Sequence, residues 1–416
     1  MDRIEIEGMH RLQGEITIQG SKNAVLPILS ACVLNEGETI LHGCPKIRDV
    51  FSMLEALKCA GADYYWEGHT LYLDTSSMKP EPLIEKAGCM RSSVMLLGSF
   101  IGRFGRATLG YPGGCCIGKR PIDLHEETLR AMGTEFYEEK DYLEAECKDL
   151  QGCELYLPYP SVGVTENILL AAVKASGKTC IYGAAKEPEI VELCNFLSVM
   201  GAKIIGAGTG KLLIQGGCLN RKVEYTICPD RIVAGTYLLG VVMTEGEVLF
   251  HQLPLTHMKR TIQVLSSLGA AFKRDGKNVR ICMKGRPKHL SHIFTAPYPG
   301  FPTDLQSPLL SVLCRGDGES CIEERMFENR FLIVPELKKM GAKICLEDCM
   351  AKVSPVDRLK GADVSARDLR GGAALVLAAL GAEGKTSIEN ADVMCRGYED
   401  IVSDLGSLGA NIRRLS

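Results

Sequence analysis

The chain is 416 residues long, with 46% apolar and 24% charged side chains and a formal net charge of -3. That length suits two or three domains with full cores, and the near-neutral balance offers no bulk attraction to nucleic acid or to an anionic membrane. No apolar run reaches the ~18 residues of a membrane span, and the opening "MDRIEIEG" lacks the apolar region of a secretory signal, so a cytoplasmic location is expected.

In chain order, residues 3–20, "RIEIEGMHRLQGEITIQG", come first and alternate as two short strands. A pattern then repeats six times. Each copy holds an early helix, in most copies apolar around nearly its whole circumference: "PILSACVLNEG", "SSVMLLGSFIGRFG", "ENILLAAVKASG", "GTYLLGVVMTEG", "SPLLSVLCRGDG" and "GGAALVLAALGAEG". A helix without a polar face belongs inside a core. Short strands follow, such as "ETILHG" and "EVLFHQ", and then an amphipathic helix that stops at a glycine.

The stops are Gly61, Gly133, Gly201, Gly269, Gly341 and Gly409, at spacings of 72, 68, 68, 72 and 68 residues. Such regularity marks six copies of one supersecondary unit, with each glycine suited to a left-handed helix cap. The unit reads β-α-β-α-β-β, and the fold class is α/β. Six units divide into two domains of three, residues 21–229 and 230–416. The sixth ends too soon after Gly409 for its strand pair. Residues 1–20 are therefore expected to complete the second domain, which makes the chain cross between lobes twice and creates a hinge.

Basic residues gather at helix starts. Lys22 and Asn23 precede the first buried helix, Arg91 the second, Asp230 and Arg231 the fourth, Thr303 and Asp304 the fifth and Arg370 the sixth. Arg120 and Arg396 open amphipathic helices thirteen residues before their stops, and Arg330 lies eleven before its own. A cation at a helix N-terminus is locally unfavourable, and an anion shared by the side chains and bare N–H groups would compensate. The recurrence points to a site for phosphate plus carboxylate, both of which suit the planar fork of Arg.

Eighteen cysteines are scattered, mostly in apolar segments, and none has zinc-finger spacing, so small core residues in a reducing compartment are expected and no metal. Cys115 differs. It follows Pro-Gly-Gly and precedes Gly118-Lys119-Arg120, an electropositive loop of the sort that carries reactive thiols. Cys116 reads as packing. His125 reads either as an acid–base group or as a cap or core residue. "GAGTG" at 206–210 lacks dinucleotide-loop spacing and reads as a hairpin turn.

"GSKNAVLPIL", "YPGGCCIGKRPIDLH", "PSVGVTENILLAA", "PDRIVAGTYL", "YPGFPTDLQ", "FENRFLIVPELKKMGAKI", "DLRGGAALVLAAL" and "RGYEDIV" are together similar to the UDP-N-acetylglucosamine enolpyruvyl transferase family, across essentially the whole chain. The resemblance implies two inside-out α/β barrel (prism) domains, each a pseudo-threefold of βαβαββ units. It implies transfer of the enolpyruvyl group of phosphoenolpyruvate to the 3'-hydroxyl of UDP-N-acetylglucosamine with release of phosphate, the first committed step of peptidoglycan synthesis, without metal or organic cofactor.

By resemblance Cys115 is the loop thiol that protonates the methylene carbon, is alkylated by fosfomycin, and meets Asp304, the base, when the lobes close. Lys22, Arg120 and Arg396 hold the phosphate, with Arg330 and Arg370 near the carboxylate. Asn23, Arg91, Arg120, Pro121, Ile122, Asp123, Leu124, Ser161, Val162, Gly163 and Met326 fall where the family contacts the UDP-sugar. A monomer or weak homo-oligomer is expected.

Three departures stand out: Val233 where Glu is usual, Pro308 where Gln is usual, and "IEERMFENR" in place of a Thr-rich stretch. They leave two alternatives to the main expectation: the sister enzyme acting on shikimate 3-phosphate, and a weakly active UDP-sugar-binding regulatory paralogue.

Overall fold

All six stop glycines adopt left-handed backbone, with φ between +87° and +108°. A side chain at these positions would be strained, and glycine lets each amphipathic helix end and reverse into a strand. The structure, a computed structural model, describes residues 3–88, 90–111, 113, 122–217, 219 and 222–415.

The helices expected to be buried are Lys22–Cys32, Leu96–Phe104, Val162–Ala172, Arg231–Met243, Gln306–Leu313 and Leu369–Leu380. Their lack of a polar face is matched by their environment: every residue of Leu369–Leu380 is buried, as is every residue of Gln306–Leu313. Pro308 is the third residue of its helix, in the first turn, where its missing N–H costs no intrahelical bond. The 206–210 segment does form the turn between the antiparallel strands Lys203–Ile205 and Lys211–Gln215.

The chain divides into two compact units. Among the described residues, a central unit spans 20–228, and a terminal unit combines 3–19 with 229–415. Each has its own core. That of the central unit is built around Ile28, Phe100 and Ile168; that of the terminal unit around Tyr237, Leu309 and Leu377.

Among the described residues, five of the six repeats use a four-stranded sheet in which a parallel edge strand is followed by an antiparallel group. The sixth stop is followed by a strand after all, Asn411–Leu415, and Arg3–Glu7 lies between it and Lys385–Glu389, antiparallel to both. Gln13–Thr17 goes elsewhere, pairing in parallel with Glu247–His251 in the sheet of the fourth repeat. The two N-terminal strands thus complete different sheets. Strand Arg3–Glu7 buries Ile4 and Ile6 on one face, so alternation told which face turns inward but not which neighbours it would find. No helix among the described residues is long and apolar enough to cross a membrane.

Candidate functional site

Asp304 sits in a short 3-10 turn, Thr303–Leu305, immediately before the buried Gln306–Leu313 helix. Its two oxygens accept hydrogen bonds from two different arginines. Arg330 Nη2 donates to Oδ1 at 2.6 Å and Arg370 Nη2 to Oδ2 at 3.3 Å. The arginine side chains are each 5% exposed, against 24% for the carboxylate.

Burial works against the charge of Arg370, but Asp304, Tyr398 and Asp230 outweigh it and hold its proton more tightly than usual. The guanidinium also lies 5.9 Å from the Tyr398 ring, whose hydroxyl shares a 2.9 Å hydrogen bond with Thr236. Arg330 lies 5.4 Å from the Phe327 ring. Among the described residues, Arg330 Nε and Arg370 Nη1 are buried without a hydrogen-bond partner. Two obligate cations, each with a donor to spare, stand beside a partly open carboxylate: an arrangement suited to holding an anion next to a proton acceptor.

In the central unit Lys22, the first residue of its buried helix, pairs with Asp49 at 2.7 Å; both are nearly enclosed. Asn23 follows it, half-buried. Arg91 opens the 3-10 turn Arg91–Met95. Ser161 caps the Val162–Ala172 helix, with Val162 and Gly163 half-buried in its first turn.

His125 faces that turn: a methyl group on Gly163 would sit 3.3 Å from its Cε1. Its tautomer follows from Asn167. The amide oxygen of Asn167 accepts from Gly98 N at 2.8 Å, which turns its Nδ2 toward Val94 O and, at 2.7 Å, His125 Nδ1. Nδ1 therefore accepts, and the neutral ring carries its proton on Nε2. Burial first, and then the charge of Arg91, depress the His125 pKa to about 4, with Asp123 opposing. Ile122 is the half-buried residue before the Asp123–Ala131 helix, Asp123 its exposed first residue and Leu124 its buried second.

The structure thus brings Asp304, Arg330 and Arg370 together, and places Arg91, Asp123 and Gly163 around His125. Met326 is exposed on the segment leading to Arg330, its backbone N–H held by Glu324 at 2.7 Å. Cys115, Arg120 and Pro121 lie outside the described residues.

Two expectations change. Arg396 ends a 3-10 turn, Ala391–Arg396, with the next helix starting at Ile401, and Arg330 lies in a turn before Val334–Lys339, so neither begins an α-helix. The helix starts at Lys22, Val162, Arg231 and Leu369 are also capped by Ser21, Ser161, Asp230 and Asp368. These caps already meet some of the bare amides that had been assigned to an anion. The case for anion binding therefore moves to the guanidinium pair.

Sequence reasoning missed Asp49, Tyr398, Asn167 and Glu324. Asp49 and Tyr398 offered no signal beyond adjacency to the basic clusters. Asn167 stood out locally as one of three polar residues, with Thr165 and Glu166, inside a helix otherwise made of apolar residues and glycine.

A family model described as EPSP synthase (3-phosphoshikimate 1-carboxyvinyltransferase) matches residues 6–405. The UDP-N-acetylglucosamine 1-carboxyvinyltransferase 2 of Caldanaerobacter subterraneus subsp. tengcongensis is 45% identical over 416 residues, covering 100% of both chains. The UDP-N-acetylglucosamine 1-carboxyvinyltransferase of Desulfovibrio desulfuricans is 41% identical over 414 residues, 100% of this chain and 99% of that one. Among solved structures, the enolpyruvyl transferase NikO from Streptomyces tendae matches with a TM-score of 0.90 at 24% identity, covering 99% of this chain and 98% of that one. EPSP synthase from Acinetobacter baumannii matches at 0.77 and 18%, covering 100% of both. These structural likenesses share the α/β fold.

Proposed function

We propose, because this chain belongs to the EPSP synthase family, that it transfers the enolpyruvyl group of phosphoenolpyruvate to the 3'-hydroxyl of UDP-N-acetylglucosamine and releases phosphate. The observation that carries this reading is the full-length similarity, at 41% to 45% identity, to relatives named for that carboxyvinyl transfer. The buried arginine pair at Asp304 supports it from the chemistry.

The reaction adds the sugar oxygen to C2 of phosphoenolpyruvate while a proton adds to C3. An acid must stand by the methylene and a base by the hydroxyl. Cys115 supplies the proton to C3, and Asp304 takes the one from the 3'-hydroxyl. The resulting tetrahedral adduct loses phosphate from C2 and a proton from C3, which restores the double bond and leaves the net proton count unchanged.

Lys22, Arg120 and Arg396 hold the phosphate, and Arg330 and Arg370 lie near the carboxylate. Fixed cations of this kind favour the developing charge without reorganising. Asn23, Arg91, Arg120, Pro121, Ile122, Asp123, Leu124, Ser161, Val162, Gly163 and Met326 contact the UDP-sugar. The protein acts in the cytoplasm, in peptidoglycan synthesis, as a monomer or weak homo-oligomer and without a cofactor.

The purified protein given both substrates should release phosphate, and Cys115→Ala should abolish or severely impair release. Fosfomycin should add its mass at Cys115 and not at Cys116. Turnover with shikimate 3-phosphate in place of the UDP-sugar would move the assignment to the sister enzyme. Tight UDP-sugar binding with no release would identify a regulatory paralogue.

A further inference from the structure

We infer that Glu324 is a positioning residue for the Asp304–Arg330 pair, an inference that rests on the reading of Asp304 as the base. Glu324 is 3% exposed, and its two oxygens are occupied by the groups on either side of the pair. One of its oxygens, Oε2, accepts from Thr303 Oγ1 at 2.9 Å. Thr303 directly precedes Asp304 in the 3-10 turn.

The other oxygen, Oε1, accepts from the backbone N–H of Met326 at 2.7 Å and of Phe327 at 3.3 Å, and from Thr295 Oγ1 at 2.8 Å. Phe327 supports the Arg330 guanidinium at 5.4 Å, and Arg330 returns to Asp304 at 2.6 Å. The contacts close a ring: Glu324, Thr303, Asp304, Arg330, Phe327 and back to Glu324. One buried carboxylate therefore sets both the turn that aims the base and the segment that carries the cation holding it.

A buried carboxylate with four donors also contributes to stability. The two threonines separate these roles. Each donates one hydrogen bond to the same group, but only Thr303 adjoins Asp304. Thr295 ties Glu324 to the strand Ile293–Phe294 and accepts from Arg325 N at 2.9 Å.

The test compares Thr303→Val, Thr295→Val, Glu324→Ala and Glu324→Gln by kcat, KM for each substrate and melting temperature. Both valine variants should melt lower by a similar amount. Thr303→Val should lose about tenfold or more in kcat with KM for phosphoenolpyruvate little changed, because small misplacements of a reacting group cost rate before binding. Thr295→Val should keep kcat within about twofold. Glu324→Gln should recover most of the kcat lost in Glu324→Ala, since the amide oxygen still accepts from the backbone and its NH2 can donate to Thr303.

Equal kcat losses in the two valine variants, or a Gln variant no better than Ala, would overturn the inference. A crystal structure of Thr303→Val gives a readout independent of turnover: the Asp304–Arg330 contact should lengthen, and an unchanged contact refutes the positioning role. Failure of the functional reading looks different, because the unmodified protein itself would then release no phosphate from the two substrates.

Discussion

Arg330 closes on Asp304 at 2.6 Å from a position 26 residues further along the chain, and it does so with only 5% of its side chain exposed. The pair has two consequences when the carboxylate is neutralised. Asp304→Asn keeps the shape but removes the proton acceptor, so turnover should fall by at least about a hundredfold. It also leaves Arg330 and Arg370 buried without their counter-charge, at a cost of about 3 kcal/mol to the terminal unit. Steady-state phosphate release and a melting curve on one sample check both, and normal stability with lost turnover would show the arginines to be paired elsewhere.

His125 makes the central unit sensitive to acid. Its folded pKa of about 4 lies below the ordinary ~6.5 of the unfolded chain. Between those values the unfolded state binds the extra proton, so stability rises with pH there and is lost as pH falls from about 6.5 to about 4. The contribution is on the order of 3 kcal/mol. Trp66 is the one tryptophan of the chain and lies in the central unit, so its fluorescence during urea unfolding reports on that unit. The wild-type protein should lose more stability between pH 7 and pH 4.5 than His125→Gln; parallel curves would refute the assignment.

Glu166 should behave in the opposite sense. It is buried in the Val162–Ala172 helix, and desolvation, with Glu189 and Glu187 nearby, raises its pKa well above the usual carboxylate range. The folded state holds its proton where the unfolded state has lost it, so stability from this group declines as pH rises above the ordinary carboxylate value. Glu166→Gln keeps the size and removes that penalty. The variant should unfold at higher urea than wild type at pH 8, with the gap narrowing toward pH 4.5; a destabilised variant at pH 8 would contradict it.

Arg315 serves the terminal unit from the inside. Its Nη1 donates to Met243 O at 2.6 Å, at the C-terminal end of one buried helix, and its Nη2 reaches Glu245 at 3.4 Å. A cation at that end favours the helix dipole, although burial lowers the pKa of Arg315 against the pull of Glu245. Arg103 does the same in the central unit, donating to Val33 O and Asn35 O at 2.9 and 3.1 Å. Arg315→Leu strips a buried carbonyl and a carboxylate of their donor and should cost about 3 kcal/mol, while turnover at 25 °C persists. Thermal unfolding followed by circular dichroism checks this, and an unchanged midpoint would show that solvent replaces the guanidinium.

The repeat, the glycine stops and the buried helices were all legible because each is written locally. A helix with no polar face states its own environment, and a glycine at +108°, as at Gly201, states a reversal whatever surrounds it. The basic residues at helix starts were also visible. Their chemistry was misjudged at the caps, since whether Asp368 bonds Arg370 N and Gly371 N at 3.0 Å depends on a rotamer that spacing does not reveal.

What the linear order determined, then, was a sixfold unit, its handedness at each stop, and the loop thiol and arginines that mark the family. Only tertiary structure decided the rest. Arg370 meets Asp304 across 66 residues and Lys22 finds Asp49 on another helix. Arg3–Glu7 and Gln13–Thr17, neighbours in the chain, part to different sheets. The physical reason is that periodicity and capping are properties of short segments, whereas a buried charge is tolerated only where folding delivers its partner, and that partner can come from anywhere in the chain.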